Sequence, residues 1–142
     1  MEKLLIVDGD RHVREIMSER FRKVGHETVE AGSGWSCLQH VENEQVTHVV
    51  LNEKLPDMDG FIVLEKLMEQ HAGLPVLFIL EHSDTQNRIR AISLGASEVL
   101  EKPLPLNRLM LAMELSQTKN MARKQKSVVE ILAQPAFVNV VS

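Results

Sequence analysis

Short apolar runs alternate with amphipathic segments along most of the chain. The runs that have the length and β-forming residues of strands are residues 4–7, 26–31, 46–51, 75–80 and 98–100. Nearly continuous apolar character, as in the first, third and fourth runs, is typical of parallel strands that are covered on both faces. The pattern therefore predicts five short strands.

Between these runs, apolar residues recur at helical spacing. Asp10 can cap a first helix that Gly25 ends, and a second helix opens at Ser33 or Gly34. The remaining helices begin near Phe61, cover residues 85–94, and begin again at about Leu106. Five strand–helix units predict an α/β fold, a single doubly wound five-stranded parallel sheet with helices on both faces. Right-handed crossovers favour the flavodoxin-like strand order 2-1-3-4-5.

The last predicted helix is long. Nothing breaks it between Leu106 and Ala133, so we expect a domain over residues 1–118 and a C-terminal helical extension and tail over residues 119–142. Apolar residues in the extension favour a partner, which could be a second copy of the chain in a weak dimer. The extension could equally be a linker to a further domain.

Charge divides the chain in the same place. Residues 1–115 carry 12 Lys and Arg against 19 Asp and Glu, whereas residues 116–142 carry four against one. An acidic body argues against direct nucleic-acid binding. No apolar run approaches the roughly 18 residues that a membrane span requires. The first residues become acidic too early for a signal peptide, so we expect a cytoplasmic protein.

In an open parallel sheet, ligands bind at the carboxyl ends of the strands beside the point where the strand order reverses. The residues that follow the first, third and fifth strands are Asp8-Gly9-Asp10, Asn52 and Lys102-Pro103. Any chemistry of the chain is therefore expected where these three segments meet.

These segments belong to a longer series of motifs. The series contains Leu5-Ile6-Val7-Asp8, Ala31-x-x-Gly34-x-x-Cys37-Leu38, Leu55-Pro56-Asp57-Met58-Asp59-Gly60, Leu74-Pro75-Val76, Gly95-Ala96-Ser97 and Lys102-Pro103. In this order and spacing, it resembles the receiver domain of two-component response regulators over about residues 3–118. The resemblance implies an aspartate that accepts a phosphoryl group with the help of Mg²⁺, two acidic residues that hold the metal, and a Thr or Ser and a Lys that bind phosphoryl oxygens.

Several of these positions are altered in the chain. Asn52 stands four residues before the loop proline, where the resemblance places the phosphoacceptor aspartate. Asp8 keeps the first acidic position, but the second is Gly9, and Asp10 should cap the first helix instead. The Thr or Ser position is Leu80, followed by Glu81 where a small residue is usual. The aromatic position of the fifth strand is Val99, and the lysine survives as Lys102.

The altered positions predict a site without phosphorylation, metal or cofactor. We expect Lys102 to pair with Asp8, and Asn52 to hydrogen-bond both, in a closed polar network. The predicted function is a phosphorylation-independent, non-enzymatic module that binds protein partners. Alternatives are the amino-terminal regulatory domain of a larger response regulator, such as a transcription factor, and a working receiver that uses Asp57 or Asp59. Whether Asn52 mimics a phosphorylated state or marks an unused site is open.

The resemblance also implies a contact surface on the fourth helix, fifth strand and fifth helix. Its expected members are Arg88, Ile89, Ile92, Val99, Glu101, Leu106, Leu109 and Met113. The lone cysteine, Cys37, is expected to be buried filler rather than a redox group. Trp35 is expected at the outer edge of the second helix, and the six histidines have no spacing typical of metal ligands.

Overall fold

The computed structural model describes residues 2–117. Strands and helices alternate in the order β1 (Lys3–Val7), α1 (Arg11–Lys23), β2 (Glu27–Ala31), α2 (Gly34–Asn43), β3 (His48–Asn52), α3 (Gly60–Gln70), β4 (Val76–Leu80), α4 (Thr85–Leu94) and β5 (Glu98–Glu101). Residues 106–117 are helical and are called α5 below. The predicted extension over residues 119–142 lies outside the described residues.

All five strands are parallel and lie in the order β2-β1-β3-β4-β5, which confirms the predicted fold class. The chain passes from β1 to β2 on one side and then crosses to β3 on the other side of β1. Val7 of β1 therefore pairs with both Ala31 and Leu51. The strand order reverses between β1 and β3, so the loops after these strands flank a crevice at the carboxyl edge of the sheet.

Apolar side chains cover both faces of the sheet, as the continuous apolar strands predict. On one face, side chains of all five strands pack against α2, α3 and α4, with Phe61 and Phe78 in ring contact at 4.8 Å. On the other face, Phe21 of α1 and Leu109 of α5 are fully buried against the remaining strand residues. The central strands β3 and β4 are buried at every position, so the residues that end them are held rigidly.

The helix starts are set by side-chain caps. Asp10, Ser33, Asp59 and Asp84 each accept backbone N–H groups of the following helical turn. Gly95 ends α4 with φ of 110°, a left-handed conformation that favours glycine. Three strands begin later than predicted, β2 at Glu27, β3 at His48 and β4 at Val76.

The loop after β3 is folded back tightly on the strand. The backbone N–H of Gly60 donates to the carbonyl of Glu53 at 2.7 Å, and a Cβ at Gly60 would lie 2.5 Å from the carbonyl oxygen of Asn52. Only glycine fits this approach of two backbone segments. The contact fixes the carboxyl end of β3 and the loop over it. Within residues 2–117, no helix is long and apolar enough to cross a membrane.

Candidate functional site

The predicted site residues lie close together at the carboxyl ends of neighbouring strands. The backbone N–H of Glu53, just after β3, donates to Ile79 of β4 at 2.8 Å, and that of Lys102 donates to Leu80 at 2.9 Å. These bonds continue the sheet pairing one residue beyond the strands. Side chains that follow β3, β4 and β5 therefore converge, together with Asp8 at the end of β1.

Asp8 is 4% exposed and is the most buried charged group of the site. Its Oδ1 accepts the backbone N–H of Asp10 at 2.9 Å, and its Oδ2 lies 3.5 Å from the ammonium of Lys102. Arg14 donates to its carbonyl oxygen at 2.8 Å. The predicted pairing of Asp8 with Lys102 is present, at the long end of a hydrogen bond.

The two residues after Asp8 do not add ligands to the site. Gly9 has no side chain, and a Cβ there would lie 3.3 Å from Cδ of Pro56. The carboxylate of Asp10 accepts the backbone N–H groups of His12 and Val13 and caps α1, as predicted. Of the acidic pair that the resemblance implies, the site retains Asp8.

Asn52 does not hydrogen-bond Asp8 or Lys102, and this part of the prediction is wrong. Its Nδ2 donates to Oε1 of Glu81 at 2.7 Å and to the carbonyl of Lys54 at 3.0 Å. Oδ1 of Asn52 is buried and has no hydrogen-bond partner among the described residues. The reason is Glu81, whose carboxylate accepts the hydrogen bond that the Asn52 amide donates.

Glu81 also changes the predicted role of Lys102. The ammonium of Lys102 lies 3.1 Å from Oε1 of Glu81, closer than the 3.5 Å to Asp8. Sequence reasoning noted Glu81 as an unusual residue but did not place it in the network. The signal was a long acidic side chain directly after a buried strand, next to two strands that end in an amide and a lysine.

The network is not closed to solvent as predicted. The Lys102 and Glu81 side chains are 28% and 27% exposed, and an open cavity of about 390 Å³ lies above them. The residues that line it are Asp8, Gly9, Asp10, Asn52, Lys54, Leu55, Pro56, Glu81 and Lys102. Leu80 is fully buried in the core and does not line it.

The electrostatics of the cavity favour an ionised Glu81. Partial burial alone would raise the pKa of Glu81, but the hydrogen bonds from Asn52 and Lys102 and the charges of Lys102 and Lys54 outweigh burial and lower it. Burial raises the pKa of Glu53, the residue that follows Asn52, above its usual value. Three carboxylates, those of Asp8, Asp10 and Glu81, thus line the cavity with the two ammonium groups of Lys54 and Lys102, so acidic groups outnumber basic ones by one.

The residues present do not fit the Mg²⁺ that the resemblance implies. Mg²⁺ requires several oxygen ligands in octahedral geometry, and it is usually held by carboxylates. Here Gly9 offers no side-chain oxygen, Asn52 is neutral, and the carboxylates of Asp8 and Glu81 both pair with Lys102. Among residues 2–117, no three His, Cys, Asp or Glu side chains are grouped as a metal site.

Asp57 and Asp59, the alternative phosphoacceptors, are engaged elsewhere. The two carboxylate oxygens of Asp57 accept the backbone N–H groups of Gly34 and Trp35 at the start of α2, at 2.8 and 2.9 Å. Asp59 caps α3 by accepting the N–H of Phe61 at 2.8 Å. Each carboxylate therefore stabilises a helix start rather than the cavity.

Two further predictions about α2 can be compared with the structure. Cys37 is buried, and burial raises the pKa of its thiol to about 12, which suits filler rather than a reactive group. Trp35 is 63% exposed, as expected for the outer edge of the helix.

The predicted contact surface needs correction at four positions. Val99, Leu109 and Met113 are buried and Leu106 is partly buried, because they pack into the core beneath the sheet edge and α5. The exposed apolar residues of this region are Ile89 and Ile92 on α4 and Leu111 and Leu115 on α5. The last two were missed, although Leu109, Ala112 and Met113 at spacing three and four already mark the inner face of α5.

Arg88 and Glu101 join α4 to β5 beside this surface. The guanidinium of Arg88 donates to the carbonyl of Val99 at 3.0 Å and lies 3.3 Å from the carboxylate of Glu101. These two predicted members of the surface therefore fix the position of α4.

Known proteins with this sequence pattern include transcriptional regulators. The chain is 32% identical over 108 residues to the probable transcriptional regulatory protein TcrX of Mycobacterium tuberculosis, covering 76% of this chain and 46% of that protein. It is 29% identical over 102 residues to the probable transcriptional regulator ycf27 of Porphyridium aerugineum, covering 72% and 42%. The chain thus spans less than half the length of the curated relatives it matches.

Solved structures share the fold. NtrX from Brucella abortus superposes with a TM-score of 0.83 at 28% identity, over 91% of this chain and 30% of that one. A CheY-like receiver domain protein from Methanospirillum hungatei JF-1 gives a TM-score of 0.82 at 23% identity, over 87% and 98%. The family model described as response regulator receiver domain matches residues 4–114. With the strand order and the site at its carboxyl edge, these matches show that the chain belongs to the response regulator receiver domain family.

Proposed function

We propose that this chain is a phosphorylation-independent receiver domain, a non-enzymatic module of two-component signalling that acts through protein contacts. The observation that carries the proposal is Asn52. It ends β3 at the position that the resemblance assigns to the phosphoacceptor, and its amide nitrogen donates to Glu81 and to the carbonyl of Lys54. A neutral amide held in this way is a poor nucleophile and cannot form an acyl phosphate.

The rest of the cavity supports the proposal. Phosphoryl transfer depends on cations that neutralise the developing charge. Lys102 forms ion pairs with Glu81 and Asp8, and Gly9 has no side chain that could bind a metal. A carboxylate in the cavity would also repel an incoming phosphoryl group.

The surface proposed for protein partners is the exposed side of α4. Ile89 and Ile92 are 59% and 57% exposed and lie three residues apart on one face of the helix. The contacts of Arg88 with Val99 and Glu101 hold the helix against β5 and leave that face exposed. A rigid helix with neighbouring exposed apolar residues is suited to a protein partner.

A second candidate function is the amino-terminal regulatory domain of a longer regulator. Its support is the length of the relatives, of which the chain spans less than half. The printed names of those relatives describe transcriptional regulators. Immunoblotting of native cell extract with an antibody against residues 1–117 would test it, since a product much larger than 16.1 kDa is expected.

Phosphorylation is tested by incubation with acetyl phosphate and Mg²⁺, followed by intact-mass spectrometry. We expect no change in mass and no change in the amide NMR spectrum when beryllofluoride is added. A receiver that phosphorylates normally is the positive control for the reagents. A gain of one phosphoryl group that hydroxylamine removes would refute the proposal.

Restoring the site should require more than one substitution. Asn52→Asp alone is expected to remain unphosphorylated, because Gly9 still provides no ligand and Glu81 still occupies Lys102. Adding Gly9→Asp and Glu81→Ala should bring Mg²⁺ binding back. Efficient labelling of the single variant would show that Gly9 and Glu81 do not limit the reaction.

A further inference from the structure

Glu81 lies at the centre of three adjacent strand ends. It follows β4 directly, Asn52 ends β3 on one side, and Lys102 follows β5 on the other. Backbone hydrogen bonds from Glu53 to Ile79 and from Lys102 to Leu80 hold the three ends together. The backbone positions from which these side chains extend are therefore set by the sheet rather than by a mobile loop.

One oxygen of Glu81 accepts hydrogen bonds from two polar side chains of the cavity. Oε1 accepts from Nδ2 of Asn52 at 2.7 Å and from Nζ of Lys102 at 3.1 Å. An amide N–H and an ammonium that converge on one oxygen form a donor set that suits any small oxyanion, whether carboxylate, sulfate or phosphate. The Glu81 side chain is 27% exposed and lines the open cavity, as do Asn52 and Lys102.

We infer that Asn52 and Lys102 form a small-oxyanion site, and that the carboxylate of Glu81 is its built-in occupant. The tethered carboxylate competes with free anions at the high effective concentration of an intramolecular group. The site is thus filled without phosphorylation, and the ends of β3, β4 and β5 are joined through one side chain. This inference deepens the proposed function, on which it rests, by naming the group that takes the place of a phosphoryl oxygen.

Removal of Glu81 should expose the two donors. In Glu81→Ala, the nearest remaining acid is Asp8, whose Oδ2 lies 3.5 Å from Lys102. Lys54 lines the same cavity and offsets that charge. The vacated site should then accept inorganic phosphate, without forming any covalent bond.

The test is an amide NMR titration with inorganic phosphate at constant ionic strength. In Glu81→Ala, we expect saturable shifts centred on residues 52–54, 80–82 and 102, with binding at least roughly tenfold tighter than in the unaltered chain. Glu101→Ala is the matched control, because it removes the same charge one residue before Lys102 but contacts Arg88 instead. Adding Lys102→Met to Glu81→Ala should abolish the shifts.

Several outcomes would overturn the inference. They are equal phosphate binding by the unaltered chain and Glu81→Ala, no saturable shift in a well-folded Glu81→Ala, or binding that survives Lys102→Met. Mass spectrometry on the same samples separates this inference from the proposed function. Covalent phosphorylation of the unaltered chain contradicts the proposed function, whereas failure of reversible phosphate binding contradicts only the role of Glu81.

A second measurement uses the unaltered chain and does not depend on how a variant folds. The Glu81 carboxyl is followed by carbon-detected NMR as pH is lowered, together with the side-chain amide of Asn52. We expect the amide signals of Asn52 to move with the titration of Glu81, at a midpoint below the usual glutamate range. If the Asn52 amide does not respond to that titration, the inferred occupancy is wrong.

Discussion

Oδ1 of Asp57 accepts the backbone N–H of Gly34 at 2.8 Å, joining the loop after β3 to the start of α2. Its Oδ2 accepts the next N–H along, that of Trp35. Ser33 caps the same helix with its hydroxyl, so two side chains from different parts of the chain satisfy its first N–H groups. The loop that covers the cavity is thereby anchored to a neighbouring helix.

Replacement of Asp57 by Asn should destabilise the domain by about 1 kcal/mol at neutral pH, as for loss of a charged helix cap. These hydrogen bonds lower the pKa of Asp57, so the stabilisation is present above its ordinary pKa of 3.8 and is lost as pH falls through the lower native value. Urea denaturation at several pH values would measure this. Glu69→Gln, an exposed change of the same charge on α3, should have little effect. Equal destabilisation by both variants would contradict the cap.

Lys102 should be coupled more strongly to Asp8 than to Glu81, although Glu81 is nearer. Asp8 is nearly fully buried, and an unpaired buried carboxylate costs on the order of 3 kcal/mol. The Lys102–Glu81 pair is partly exposed to solvent, and such a pair contributes about 1 kcal/mol or less. Double-mutant cycles of Lys102→Met with Asp8→Asn and with Glu81→Gln measure both couplings. Lys66→Met, exposed on α3, controls for loss of a lysine. Near-zero coupling to Asp8 would mean that water already solvates both groups.

The fold could be predicted because its signals are local. Continuous apolar strands, Asp10 before α1 and Gly95 after α4 are each short-range patterns, and they locate nine of the elements within a few residues. β3 starts two residues later than predicted, and just before it the hydroxyl of Thr47 hydrogen-bonds the backbone of Lys3. A hydrogen bond between a side chain and the backbone does not change the spacing of apolar residues, so the sequence pattern does not reveal it.

The site could be predicted only in part. The rule that ligands bind at the carboxyl ends of the strands, beside the reversal of strand order, correctly predicted that Asp8, Asn52 and Lys102 lie at one edge of the sheet. It could not show that the side chain of Glu81 turns inward, because the residue after a strand has no fixed direction relative to the sheet. Three buried core residues were assigned to the contact surface for a different reason. That assignment came from the resemblance, whereas the spacing of apolar residues in α5 itself indicates that Leu109 and Met113 face inward.

His48 should make the domain less stable at acidic pH. It starts β3 at 3% exposure, and burial lowers its pKa, with His26 adding to the effect and Glu2, 3.1 Å away, opposing it. Because the native pKa lies below the ordinary 6.5, the unfolded chain binds more protons in the interval between the two values. Stability should therefore rise with pH across that interval.

Substitution of His48 by Val should flatten this part of the stability–pH profile, measured by urea denaturation on either side of pH 6.5. His12→Gln is the control, since it removes a histidine that is exposed on α1. A slope that persists in His48→Val would assign the pH dependence to another group.

Any self-association should depend on residues 119–142. The core is already complete within the described residues, because Leu109, Ala112 and Met113 seal the sheet face beneath α5 at 1% exposure or less. The remaining segment is basic and includes Val128, Ile131 and Leu132, whose spacing would align them on one helical face. An isolated helix of that length is marginal in water, so a partner would stabilise it, and a second copy about a two-fold axis is the simplest one.

The polar residues Gln117, Thr118 and Asn120 interrupt the apolar pattern, so the contact should be weak. Sedimentation of the full chain should show concentration-dependent dimers, whereas a chain ending at Thr118 should remain monomeric. If both sediment as one species over a broad range of concentration, the segment does not drive association, and its role as a linker becomes the better interpretation.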